Sequence, residues 1–144
     1  MKILFVCSGN ICRSPMAEVI FQNLIDRDKV KTVQVASAGI EAESGKPMME
    51  YSKLALQHCG EKFPKKEHKS TLLTKSMLKK YDHIVCITRV HKWQIDMHDV
   101  MKNVYVLSET DVADPYGGSI HRYIEVCNHL QKSVGELYNK LCKM

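Results

Sequence analysis

The chain has 144 residues, 44% hydrophobic and 26% charged, with a formal net charge of +5; this suits one globular domain with a sizeable core. No stretch approaches the roughly 20 apolar residues of a membrane span. No basic block of the kind that binds nucleic acid is present either, because Glu61 and Glu67 interrupt the densest cluster, Lys62, Lys65, Lys66 and Lys69.

In chain order, residues 3–7 read as a buried strand and 15–28 as a helix with Ala17, Ile20, Phe21, Leu24 and Ile25 on one side. Residues 32–38 alternate like a strand and stop at Gly39, and 40–47 form a loop. A helix is expected over 48–59, ending at Gly60, and a short one from Thr74 to Lys80. Residues 83–88 form another buried strand, 90–99 a helix and 103–108 a fourth strand. After a loop over 109–118, the tail from Ser119 repeats Ile120, Ile124, Cys127, Leu130, Val134, Leu137 and Leu141 at helical spacing.

Four apolar strands separated by helices predict an α/β fold: a four-stranded parallel sheet with helices on both faces. No repeat, low-complexity segment or linker divides residues 1–144, so a single domain is expected. The N-terminal apolar run is shorter than the roughly 7–15 residues of a signal-peptide core. The six scattered cysteines therefore read as reduced thiols in the cytoplasm.

The most informative segment is Val6-Cys7-Ser8-Gly9-Asn10-Ile11-Cys12-Arg13-Ser14-Pro15. A cysteine six residues before an arginine arises by chance in roughly one chain in six of this composition. Its setting makes it specific. Cys7 ends a strand, Gly9 and Asn10 tolerate left-handed backbone, Ser14 suits an N-cap, and Pro15 suits the first helical position. A loop of this kind at a helix N-terminus binds a tetrahedral oxyanion such as phosphate.

The chemistry follows from the residue types. Thiolates are nucleophiles, and a helix N-terminus with a nearby guanidinium lowers a thiol pKa from about 8.5 into the range of roughly 3.5–7.5. Ser14 can donate to the sulfur, and the Arg13 fork matches two phosphoryl oxygens. Cys7 would attack phosphorus and form a phosphocysteine that water hydrolyses. Asp114, held before Pro115, is the candidate acid for the leaving group. It follows the fourth strand, so it should share with Cys7 the sheet edge where open α/β sheets bind ligands.

The segments VCSGNICRSPMAE, SAG at 37–39 and DPYGGS at 114–119 resemble the low-molecular-weight protein tyrosine phosphatase family, and the similarity spans the chain. The resemblance implies a flavodoxin-like arrangement of the sheet, a phosphorylated protein or peptide as substrate, and neither metal nor cofactor. It makes Cys7 the nucleophile, Arg13 the phosphate clamp and Asp114 the general acid. Ser8, Gly9, Asn10, Ile11 and Cys12 would cradle the phosphoryl group, or inorganic phosphate. Asn10 would brace the loop, Ser14 support the thiolate and Tyr116 wall the cleft. Cys12 would match a cysteine able to form a reversible disulfide with Cys7. A monomer without nucleic-acid or membrane partners is expected.

Departures from the family pattern bear on substrate. Gly117 stands where animal members carry a second tyrosine, as in the bacterial branch that includes protein-arginine phosphatases. Those enzymes tend to have threonine where this chain has Ile11, and an apolar wall suits a phenyl ring better than a guanidinium. Phosphotyrosine is the expected substrate and phosphoarginine the alternative; Glu41 and Glu43, where members often carry an aromatic residue, point toward a cationic group. A thiol-dependent arsenate reductase needs a relay of further cysteines, yet none follows Cys86 between 87 and 100. A silent phosphoprotein-binding module would not need nucleophile, clamp and acid together. His68 and His91 are expected to be structural or exposed, Trp93 and Tyr105 to pack in the core or on the surface, and Cys59, Cys127 and Cys142 to be packing residues.

Overall fold

The computed structural model describes residues 1–97 and 103–143. Strands β1 (Lys2–Cys7), β2 (Gln34–Gly39), β3 (His83–Cys86) and β4 (Val104–Val106) form one parallel sheet in the order β2-β1-β3-β4. The helices are α1 (Arg13–Arg27), α2 (Glu50–His58), α3 (Lys75–Lys80), α4 (Arg89–Asp96) and α5 (Ile120–Cys142).

Side chains of β1 alternate between two cores. Ile3, Phe5 and Cys7 join α1, α2 and α5 on one face, while Leu4 and Val6 meet Ile95 of α4 and Met77 and Leu78 of α3 on the other. Both faces are covered, which is why the strands read as unbroken apolar runs. Edge-on contacts of Phe21 with Phe5 and Tyr138, ring centroids 5.9 and 5.5 Å apart, lock α1 between β1 and α5 and contribute about 0.5–1.5 kcal/mol each beyond burial.

Helix ends differ from the sequence expectation for local reasons. Helix α1 begins at Arg13, with Cys12 at the N-cap and no side-chain cap bond. Ser14 is therefore not the cap; its hydroxyl is engaged by Cys7 and Asn10 instead. Pro15 moves to the third helical position, which is still among those whose N–H has no partner within the helix. Helix α2 starts late because the Met49 N–H is taken by the Ile11 carbonyl, 2.9 Å away.

Strand β3 stops short because Thr88 caps α4. The end of the helix expected over 90–99 lies outside the described residues. On α5 the buried stripe includes Tyr123, Val126 and Tyr138, which aliphatic spacing did not single out, whereas Ile120, Ile124 and Leu141 are only partly buried. None of the described helices is long and apolar enough to cross a membrane.

Candidate active site

The connection from β1 leads to β2 on one side of the sheet, while β3 lies on the other. The carboxyl end of β1 is therefore a topological switch point, the place where such sheets form a crevice. Cys7 is the last residue of β1, and Ser8–Cys12 wrap from it to the first turn of α1.

Asn10 is the hub of that loop. It is fully buried and takes a left-handed backbone, φ 56°, which Asn tolerates better than most residues. Its Oδ1 accepts the Thr71 N–H at 2.9 Å. A backbone N–H can only donate, so the orientation of the amide is fixed. The Nδ2 group then donates to Ser14 Oγ at 2.8 Å and Ser37 Oγ at 2.9 Å, using both of its hydrogens. Ser37 donates onward to Glu18 Oε1 at 2.6 Å. Burial pushes the Glu18 carboxyl up, opposed by the Ser37 bond and the nearby His68.

This chain of donors sets the direction of the Ser14 hydroxyl. Because Ser14 Oγ accepts from Asn10, its own hydrogen is free for Cys7 Sγ, 2.8 Å away. The Asn10 N–H also points at the sulfur, at 3.3 Å. Cys7 is thus buried, with donors aimed at it and the start of α1 beside it.

Gly39 closes the loop from β2. A Cβ there would lie 2.5 Å from the Ser8 carbonyl oxygen and 2.9 Å from the Asn10 nitrogen. Only a residue without a side chain admits so close a pass. The Ile40 and Glu41 N–H groups donate to the Cys7 and Ser8 carbonyls, each at 2.9 Å, which ties the start of the loop to the chain after β2.

The Arg13 guanidinium is buried, and its Nη1 donates to the Val112 carbonyl at 3.0 Å. Its Nη2 lies 3.8 Å from Asp114 Oδ2, a carboxylate largely in solvent. Asp114 Oδ1 accepts the Tyr116 N–H at 3.1 Å, a turn that sets the angle of the loop. Tyr116 is 65% exposed and follows the acid by two residues. Loop, arginine and carboxylate therefore meet at one edge of the sheet.

A model of the low molecular weight phosphotyrosine protein phosphatase family matches residues 2–144. The chain belongs to that family. A protein-arginine-phosphatase of Bacillus subtilis (strain 168) is 34% identical, covering 99% of this chain and 98% of its own. The low molecular weight protein-tyrosine-phosphatase PtpB of Staphylococcus epidermidis is 36% identical over 85% of this chain and 86% of its own. Among solved structures, a mutant of the arginine phosphatase YwlE with a phosphorylated active site serine superposes with a TM-score of 0.89 at 32% identity, covering 99% of this chain and 97% of that one.

In this phosphatase, the two histidines expected to be structural or exposed both touch the loop. His68 Nε2 donates to the Asn10 carbonyl at 2.7 Å. His91 is buried, and its Nε2 is 2.9 Å from Ser8 Oγ. Ser37, Thr71 and Glu18 also belong to the site and were not read from the sequence as such; the SAG segment was its only local trace. Trp93, 62% exposed, is on the surface, one of the two places expected for it.

The remaining thiols behave differently from Cys7. Burial raises the Cys12 thiol, partly offset by the Tyr123 hydroxyl 3.9 Å away. Burial, with Asp96 next, pushes Cys86 up to about 12, which makes it a poor relay thiol for arsenate chemistry. A cleft of about 1120 Å³ opens behind the loop, between α1 and residues 60–71, lined by Glu18, Ser37, His68 and Thr71. Cys7, Arg13 and Asp114 do not line it. Among the described residues, no three His, Cys, Asp or Glu side chains could hold a metal ion.

Proposed function

We propose that this phosphatase hydrolyses phosphotyrosine in proteins through a phosphocysteine intermediate, with Cys7 as nucleophile, Arg13 as phosphate clamp and Asp114 as general acid. The observation that carries the reading is the convergence of the Cys7 sulfur, its Ser14 and Asn10 donors, and the buried Arg13 guanidinium beside Asp114.

The Cys7 thiolate forms the S–P bond while the P–O bond to the phenol breaks. The leaving oxygen takes its proton from Asp114. The Asp114 carboxylate then draws a proton from water, which attacks phosphorus. The S–P electrons return to Cys7, and phosphate departs. Inward loop N–H groups, drawn from Ser8, Gly9, Asn10, Ile11 and Cys12, and the Arg13 fork take up charge on the equatorial oxygens. The reading includes a reducing, cytoplasmic setting and action as a monomer; Cys7 is free, as a thiolate nucleophile must be.

Substrate choice rests on the walls. The Ile11 side chain lies over Gly9, where a Cβ would meet it at 3.7 Å, and it offers no hydroxyl. With the exposed Tyr116, it makes a wall suited to a phenyl ring. One observation favours the alternative, phosphoarginine. The Glu41 backbone is bonded to Ser8, which brings an exposed carboxylate to the loop, and the Bacillus relative is named for arginine.

Phosphate release from matched phosphotyrosine and phosphoarginine peptides, with Cys7→Ser as blank, tests the choice. Preference for phosphotyrosine supports the aromatic slot. Preference for phosphoarginine would mean that Glu41 outweighs Ile11. Turnover by Cys7→Ser would overturn the mechanism itself.

A further inference from the structure

His91 is buried at the start of α4 and has no place in the mechanism above, yet both of its ring nitrogens are engaged. Nδ1 faces the Thr88 N–H at 3.2 Å and the Thr88 hydroxyl at 3.0 Å. The backbone N–H can only donate, so Nδ1 is an acceptor and carries no proton. The ring proton is therefore on Nε2, which points at Ser8 Oγ 2.9 Å away. The His91 N–H returns a bond to the Thr88 hydroxyl at 3.3 Å, closing a reciprocal cap. The ring is held by its own helix end before any contact with the loop is counted.

Ser8 is thus made an acceptor toward His91. A hydroxyl has one hydrogen, and the imidazole has no lone pair left on Nε2 to receive it. The Ser8 hydrogen must point elsewhere. Ser8 directly follows Cys7, and its carbonyl is occupied by the Glu41 N–H. The positive charge of Arg13, which would clamp the phosphoryl group, is close enough to act on the His91 ring and disfavour a second proton there, after burial itself.

We propose that His91 is a positioning residue of this phosphatase: by donating from Nε2 it fixes the Ser8 hydroxyl as a hydrogen-bond donor to the oxyanion held in the Cys7 loop. The proposal rests on the phosphatase reading and adds a recognition element contributed by α4 across the switch point. A neutral imidazole of the opposite tautomer would accept from Ser8 and leave it no hydrogen for the anion. The Thr88 cap selects against that tautomer.

The test uses inorganic phosphate as competitive inhibitor of p-nitrophenyl phosphate hydrolysis, and direct phosphate binding by calorimetry, in wild type, Ser8→Ala, His91→Ala, His91→Gln and the Ser8→Ala/His91→Ala pair. A donor to a charged oxygen is worth about tenfold in affinity. Phosphate should bind about tenfold more weakly to Ser8→Ala and to His91→Ala, and no more weakly to the double variant than to either single one. His91→Gln, whose amide can donate from near the Nε2 position, should recover most of the loss.

Unchanged phosphate affinity in Ser8→Ala would overturn the proposal, and so would losses that multiply in the double variant. Ser8→Ala leaves the α4 cap intact, so its result stands even if His91→Ala unfolds. A wild type that binds phosphate but does not hydrolyse the aryl ester would refute the phosphatase reading alone, since the binding comparison would still report on His91.

Discussion

Arg13 Nη2 stands 3.8 Å from Asp114 Oδ2, with the guanidinium buried and the carboxylate largely in solvent. In the proposed mechanism this buried cation, tied to the Val112 carbonyl, clamps the phosphoryl group and Asp114 is the acid beside it. If Asp114 protonates the leaving oxygen, its loss matters only when that oxygen is a poor leaving group. Asp114→Ala should lower kcat on a phosphotyrosine peptide by about 10²–10⁴-fold, and far less on p-nitrophenyl phosphate. Steady-state kinetics on both substrates checks this; equal losses would remove Asp114 from the acid role.

Asn10→Ala should destabilise the fold as well as the site. It strips partners from Ser14, Ser37 and the Thr71 N–H, at about 1 kcal/mol each, and places Ala at a positive φ that costs roughly 1–2 kcal/mol. Urea unfolding should show a loss of about 4–5 kcal/mol. A loss under about 1 kcal/mol would mean that the hub is not the brace it looks like.

Gly39→Ala should separate folding from catalysis. The new methyl meets the Ser8 carbonyl and the Asn10 nitrogen, so the loop must move, whereas residues before Gly39 in β2 can keep their pairing with β1. Displacement of catalytic groups by about 1 Å can cost about 100-fold. The expected result is kcat/KM down by about that factor with native circular dichroism.

The stability of the protein should depend on pH through His91. Burial first, then Arg13, push its pKa from 6.5 down to about 4, with Asp111 and Asp114 opposing. Between those values the unfolded chain binds a proton that the folded chain does not, so stability falls as pH falls through the window and is fully present above it. Unfolding near pH 5 should take up about one more proton in wild type than in His91→Gln. Urea midpoints measured from pH 4 to 7 give that slope; identical slopes in the two proteins would reject it.

The loop and its chemistry were legible because they are local. Cys7 through Pro15 carry their own turn, anion-binding and helix-start signals. The sheet followed from apolar runs, since both faces of β1 are buried. The supports of the loop were not legible, because Ser37, His68, Thr71 and His91 reach it from 27 to 83 residues away. Ser14 shows the same limit from the other side: its local preference for an N-cap lost to bonds with Cys7 and Asn10, so the helix starts one turn's fraction earlier. Thr88 falls at the end of the strand expected over 83–88, so neither the cap it forms with His91 nor the ring's approach to Ser8 was legible.

The Asn10 hub ties α1, β2 and the segment before α3 to one loop through bonds that involve no substrate. A cradle braced in this way recognises the phosphoryl group itself and not the molecule that delivers it. The same contacts that seize a phosphorylated side chain also retain the phosphate left after turnover. The proposed mechanism therefore carries product inhibition with it, since free phosphate would compete directly with the substrates. In the proposed reading, discrimination between protein targets would then fall to the side chains of Ile11, Glu41 and Tyr116, which take no part in the Asn10 bonds.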